Sequence, residues 1–267
     1  MRRPSIARLL GSAAVTALLA TGLGGCKTMG DITGSLTSRS DTAAVTETDP
    51  RRAAEVYGER YRANPKDAEA GLRYGTALRA TGQRAQATAV LEQASLAHPG
   101  NKQLLAAYGR ALADNGNFRQ AFDVLSRAHS PDNPDWRILS VQGAALDQMG
   151  KHQEARGYYA SALRIAPDEP SVLSNLGLSY VLSRELPKAE ETLRKAQATG
   201  RADARVRQNL ALAVGLQGRF AEAETIARAD LPPDEAAANV AYLKQMLSRK
   251  DAPRTAARGK PPVVAQD

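Results

Sequence analysis

The chain has 267 residues, is 24% charged but only 4% aromatic, and carries a formal net charge of +8 at pH 7. Its single cysteine, Cys26, excludes a disulfide framework. A basic balance could suggest nucleic acid, but the few aromatics form no base-stacking platform, which argues against it. It fits either an acidic partner or anionic cell-envelope surface, or a solvated exterior with no partner at all.

The first segment reads as a secretory signal over 1–25. Arg2, Arg3 and Arg8 make a positive start, and Leu9 to Leu23 an apolar stretch. That stretch is too short, and too broken by Gly and Ser, to span a bilayer comfortably. It ends in Leu23-Gly24-Gly25-Cys26, which resembles a bacterial lipobox. The resemblance implies that the Cys26 thiol is diacylglycerated, the signal cut before it, and the new amine acylated. Small Gly24 and Gly25 suit a narrow peptidase subsite. An ordinary signal with an incidental cysteine is the alternative. Multiple acyl chains would anchor the protein durably. Lys27 follows where an aspartate would retain such proteins in the inner membrane, which implies the outer membrane, facing the periplasm of a Gram-negative bacterium. Residues 26–50 carry the lipidated cysteine and a Gly-, Ser-, Thr- and Asp-rich stretch without apolar period, expected to be a flexible tether. Its reach would be about 25–30 Å.

From residue 51 to 249 the chain repeats. Gly75, Gly109, Gly143 and Gly177 are 34 positions apart, as are Ala87, Ala121, Ala155, Ala189 and Ala223. Ala94, Ala128, Ala162 and Ala196 make a third ladder, and Gly82, Gly116, Gly150 and Gly218 a fourth, with Arg184 in its gap. Small residues at fixed phase let paired helices approach closely, while Leu78, Leu91, Leu112, Leu125, Leu146, Tyr159, Tyr180 and Leu193 fill the space beside them. This pattern resembles the tetratricopeptide (TPR) family. The resemblance implies an all-α, right-handed superhelical solenoid of antiparallel helix pairs. Five units fit, at 68–101, 102–135, 136–169, 170–203 and 204–237. A lone helix at 51–63 precedes them and a closing helix at 234–249 follows, with Val240, Leu243 and Leu247 as its apolar stripe. The fifth unit has decayed: Ala211 stands for the glycine, Ala227 for the large residue and Asp230 for an alanine. Residues 250–267, basic and Pro-rich, read as a solvated, disordered tail.

No catalytic constellation emerges. His98, His129 and His152 are far apart in sequence, and no two share a helix face at metal-ligand spacing. The glycines form no phosphate-cradling run. The expectation is a non-enzyme with no cofactor and no metal.

In TPR arrays the first helix of each unit lines a concave face. Here the first half of that face is basic, with Arg73, Arg79, Arg110 and Arg137. The second half offers Asn175, Leu178, Val181 and Leu182, then Arg205, Gln208, Asn209 and Leu212. Amides beside exposed leucines suit an extended peptide segment. The expected partner-binding groove is therefore Arg137, Asn175, Leu178, Val181, Arg205, Gln208, Asn209 and Leu212. Leu182 and Leu212 have a second reading as core residues. Trp136 reads as a helix-packing residue.

A lipobox, a short tether, about five TPR units, the segment Val206–Ala223 and the closing Asn239-Val-Ala-Tyr242-Leu243 together resemble the TadD lipoproteins of the tight-adherence (Flp) pilus system. That resemblance implies a pilotin-like scaffold that helps a secretin or other pilus assembly component localise or multimerise. Rival readings are an adaptor for β-barrel assembly or for peptidoglycan enzymes, and, from another class, an enzyme on a TPR scaffold.

Overall fold

A computed structural model describes residues 49–130 and 132–251. The signal, the lipobox with Cys26, the proposed tether up to residue 48 and the tail beyond residue 251 lie outside the described residues.

The described residues form twelve α-helices. Helix α1 (Pro50–Ala63) leads into five pairs: α2 (Ala68–Ala80) with α3 (Arg84–Ala97), α4 (Lys102–Asp114) with α5 (Phe118–Ala128), α6 (Trp136–Gln148) with α7 (His152–Ile165), α8 (Pro170–Leu182) with α9 (Leu186–Ala198), and α10 (Ala204–Leu216) with α11 (Phe220–Ala227). Helix α12 (Pro233–Asp251) closes the array. Each helix packs mainly on its neighbours in the chain, so the expected all-helical solenoid of helix pairs is what the chain forms.

Local signals start and stop these helices at a fixed phase. Asp67, Asn101, Asp135, Glu169 and Asp203 cap α2, α4, α6, α8 and α10, each side chain accepting a hydrogen bond from a first-turn backbone N–H. These caps also stand 34 residues apart, a ladder as regular as the glycines. The second helices have no side-chain cap. They begin straight after a tight reversal, in which the Gln83 N–H donates to the Leu78 carbonyl at 2.8 Å and the Asn117 N–H to Leu112 at 2.8 Å. This six-to-one bond needs a left-handed residue inside it. Gly82, Gly116, Gly150 and Gly218 supply φ of 77°, 84°, 77° and 84°. In the fourth unit Arg184 occupies the same position at φ 62°, and the Glu185 N–H still donates to the Tyr180 carbonyl at 2.8 Å.

Within a pair, the glycine of the first helix takes the large residue of the second. A Cβ on Gly75 would lie 2.3 Å from Leu91 Cγ, and one on Gly109 would lie 2.5 Å from Leu125 Cγ. Gly143 meets Tyr159 at 2.6 Å and Gly177 meets Leu193 at 2.5 Å in the same sense. Leu91, Leu125, Tyr159 and Leu193 are essentially inaccessible. The tyrosine brings a hydroxyl into the core, where it must be paired. Its Oη donates to Asp147 Oδ2 at 2.8 Å, and Asp147 Oδ1 accepts from Ser179 Oγ at 2.8 Å and lies 2.8 Å from His152 Nδ1. Burial and the nearby Asp147 push the Tyr159 phenol well above its ordinary range.

The fifth pair is built differently. Ala211 and Ala227 leave the interlock empty, and Ala236 of α12 packs against both. Asp230 pairs with the Arg207 guanidinium, which also donates to the Ala202 carbonyl at 3.0 Å. Leu243 of α12 docks on Gly215, whose added Cβ would lie 2.5 Å from Leu243 Cδ2. Val240, Leu243 and Leu247, the expected apolar stripe, are the half-buried positions of α12 from residue 240 to 248.

Ion pairs join the second helices of the fourth and fifth units. Glu190 accepts from Arg219 Nη1 at 2.7 Å, Arg194 Nη2 at 2.7 Å and Gln217 Nε2 at 2.8 Å, and Arg194 also reaches Glu222 at 2.7 Å. Burial alone would raise the Glu190 carboxyl, but the donors on it outweigh that and hold it at about 2.

Three outcomes are expected from these joints. Gly109→Val should lower the free energy of unfolding by about 1–3 kcal/mol, measured by urea titration, because α4 and α5 must move apart. Arg184→Gly should raise it by about 1 kcal/mol, since a non-glycine residue in the left-handed region carries a penalty of that order. The Glu190 contribution should be complete above pH 4.5, its ordinary value, and be withdrawn as the pH falls toward 2. In Glu190→Gln that part of the acid limb of a stability–pH curve should flatten.

Candidate protein-interaction groove

The backbones of successive first helices approach one another, α2 to α4, α4 to α6, α6 to α8 and α8 to α10, whereas those of successive second helices do not. The array therefore curves with its first helices inside, and they form the concave face. A cleft of about 1060 Å³ opens there at the amino-terminal end. Helix α1 forms one wall with Pro50, Ala53 and Tyr57, while α2 and α4 form the floor and the other wall. Leu72, Ala106 and Ala107 give it an apolar base, and Arg73, Thr76, Arg79, Gln103 and Arg110 line it with polar side chains, together with the acids Glu69 and Asp135.

The sequence-selected groove residues lie elsewhere on the array, and none of them lines this cleft. Asn175 and Asn209 are half-buried, and each uses one amide N–H within the protein. Asn175 Nδ2 donates to Ser140 Oγ at 3.0 Å and Asn209 Nδ2 to Ser174 Oγ at 3.0 Å. The two bonds are a matched pair that fixes α6 to α8 and α8 to α10. Among the described residues the other N–H and the carbonyl of each amide make no further hydrogen bond. Val181 is only 8% exposed and belongs to the core of the last two pairs, with Leu178 and Leu212 packed half-buried against that core. Leu182, which had both readings, is exposed instead. Arg205 and Gln208 are exposed, with Arg205 loosely paired to Asp203 at 4.0 Å. Arg137 is exposed and lies over the Trp136 ring at 4.4 Å, while Trp136 itself packs against the core of the third pair.

Arg110 is the residue whose surroundings set it apart. It is half-buried on α4, yet makes no hydrogen bond or ion pair among the described residues. Burial lowers its guanidinium pKa, Arg79 and Arg137 lower it further, and Asp135 opposes them. The nearby acids are engaged. Asp114 holds Arg79 at 2.7 and 2.8 Å, and Asp135 caps α6 by accepting from the Arg137 N–H at 2.8 Å. Sequence reading placed Arg110 on the basic half of the face, but its lack of a partner emerges only once the helices are stacked.

The groupings that invite a catalytic reading do not assemble one. Ser179 donates to Asp147 rather than to His152, so no nucleophile–base pair forms there. His98 Nε2 lies 2.7 Å from the Lys66 carbonyl, in the loop ahead of the first unit, and His129 Nε2 lies 3.2 Å from Gln142 Oε1, joining the second unit to the third. Among the described residues no group of three His, Cys, Asp or Glu is placed to hold a metal ion.

The same architecture recurs in solved structures. The APC/C hetero-tetramer Cut9–Hcn1 aligns at a TM-score of 0.64 and 17% identity over 80% of this chain, which spans only 42% of the length of that one. PilW, described as a widely conserved type IV pilus biogenesis factor, aligns at 0.63 and 20% identity, covering 78% of this chain and 99% of PilW. TTC0263, a thermophilic TPR protein in Thermus thermophilus, aligns at 0.58 and 23% identity, covering 67% and 99%. At such identities these likenesses speak for the fold. No curated protein matches the chain in sequence. The tetratricopeptide repeat family pattern matches residues 44–111 and 148–213, together half of the chain. With the helix pairs, the 34-residue ladders and the glycine interlock in place, the chain belongs to the tetratricopeptide repeat family.

Proposed function

We propose that the protein is a non-enzymatic scaffold, lipid-anchored through Cys26 on the periplasmic face of the outer membrane, that binds protein segments along its concave face during assembly of a Flp-type pilus. The observation that carries the binding part is the open cleft between α1, α2 and α4, a concave surface with an apolar base and polar walls. The solenoid presents that surface on stacked helices, so it is formed without a partner, and such preorganisation lowers the ordering cost of binding.

The anchor and the pathway rest on the sequence. Leu23-Gly24-Gly25-Cys26 supports lipidation, and Lys27 supports the outer membrane. The segments 206–223 and 239–243 support the TadD-like role, with a secretin or another pilus assembly component as partner. PilW shares the fold and is itself a pilus biogenesis factor. In this reading the acyl chains hold the array near the outer membrane, where a secretin must assemble, and the groove supplies recognition.

Cys26→Ser should move the protein from the membrane to the soluble periplasmic fraction and reduce surface pili. Fractionation and electron microscopy of cells check this, and normal pili with a soluble protein would remove the anchoring claim. Crosslinking of the tagged wild-type protein in cells should recover a secretin or pilus components. Recovery of barrel-assembly or peptidoglycan proteins instead would reassign the pathway.

A further inference from the structure

We propose that the amino-terminal cleft is a docking site for an acidic, extended segment of a protein partner, with a partner carboxylate received by Arg110, which lines the cleft together with Arg79. This rests on the reading that the concave face takes protein partners, and it adds which end of the face and which chemistry.

Arg73 lies 3.9 Å from Glu69, and Arg79 is held by Asp114 at 2.7 Å, so both have their acids. Arg110 is more sheltered than Arg73 and makes no ion pair among the described residues; Arg79 and Arg137 act on it as like charges, and Asp135, which also lines the cleft, opposes them only in part. A sheltered cation among like charges is unfavourable unless an anion completes it. The planar guanidinium fork is suited to a carboxylate, which it can bind through two parallel N–H bonds.

In the carboxyl-terminal half, Arg207 is paired with Asp230, Arg219 with Glu190 and Glu222, Arg194 with Glu190 and Glu222, and Arg228 with Glu224. Those arginines are matched by acids close at hand, whereas Arg110 on the concave face of the first units is in no ion pair among the described residues.

The shape indicates a peptide rather than a small anion. The cleft, about 1060 Å³, runs across α1, α2 and α4 and is larger than an isolated anion would fill. Leu72, Ala106, Ala107 and Tyr57 offer apolar contact, and Thr76 and Gln103 offer exposed polar groups for a peptide backbone. An extended segment alternating small apolar and acidic residues would satisfy both sets.

The test is fluorescence anisotropy with the purified full-length chain and a labelled octapeptide of alternating Glu and Ala, beside the same peptide with Gln for Glu. The Glu peptide should bind, and binding should weaken with added salt. Arg110→Gln should weaken it about tenfold or more, as loss of a charged hydrogen bond implies. Arg110→Lys should restore part of the loss, and Arg127→Gln, an exposed arginine outside the cleft, should leave binding unchanged. Circular dichroism melts confirm that each variant is folded. Equal binding of the Gln peptide would overturn the acidic requirement while leaving the groove reading standing. Equal losses in Arg110→Gln and Arg127→Gln would mean diffuse charge attraction and overturn the site. No binding of either peptide, with Arg110-dependent binding to phosphatidylglycerol vesicles, would assign the cleft to lipid and overturn the proposal. No binding to any of these probes would overturn it as well. The fate of Cys26→Ser and the crosslinked partners are read separately, so the two readings fail independently.

Discussion

The structure depends on one contact made four times: a large side chain of the second helix seated where the first helix has only a glycine hydrogen. At Gly109 a Cβ would sit 2.5 Å from Leu125 Cγ, well inside van der Waals contact. The missing methyl group therefore sets how closely α4 and α5 approach. It also locks their register, because Leu125 has one socket along the helix. Interior packing of this density transmits small errors. A pair opened at the glycine would tilt its second helix and misplace the next unit, and the error would carry down a solenoid whose elements touch mainly their neighbours. Curvature, and with it the concave face, follows from that repeated distance.

Departures from the contact show what the fold requires. With Tyr159 in the socket of Gly143, the added hydroxyl recruits Asp147, and Asp147 recruits Ser179 from the next unit and His152 at the following turn. A larger residue in one socket thus becomes a polar link between units. In the fifth pair the contact is replaced by three alanines, one of them from α12. This is where the array ends. The last pair receives a helix on its open side instead of another unit, and Leu243 on Gly215 repeats the glycine–leucine device between α10 and α12.

Much of this was legible because it is periodic. The glycine and alanine ladders carried the pair geometry, and the decay at Ala211, Ala227 and Asp230 marked the end of the array. The ladder Asp67, Asn101, Asp135, Glu169 and Asp203 was equally present in the sequence and gives the starts of the first helices directly. Less could be read of the candidate site. Val181 occupies a groove phase but is drawn under the core of the last two pairs, since a position near the edge of a helix face can turn either way. The bonds from Asn175 to Ser140 and from Asn209 to Ser174 join residues 35 apart, and their donors look free until the units are stacked. Periodicity describes what all units share, whereas the cleft depends on what only the first two units and α1 have. Arg79 and Arg110 occupy different phases of different units, and no ladder connects them.

That difference bears on function. A repeat array carries its fold in the shared positions, so the unshared ones are free to vary without cost to the stack. In the carboxyl-terminal half those positions are largely spent on closing charge networks such as Glu190 with Arg219, Arg194 and Gln217, which strengthen the joint beside the terminal helix. The amino-terminal half has α1 packed beside the first pair, so its end is covered without such a network. Its unshared residues instead leave a cleft with one sheltered guanidinium, Arg110, that is in no ion pair among the described residues. A division of labour follows from where each end meets its neighbours: the far end is closed by internal ion pairs, and the near end keeps one guanidinium, Arg110, without an ion pair among the described residues on the concave face.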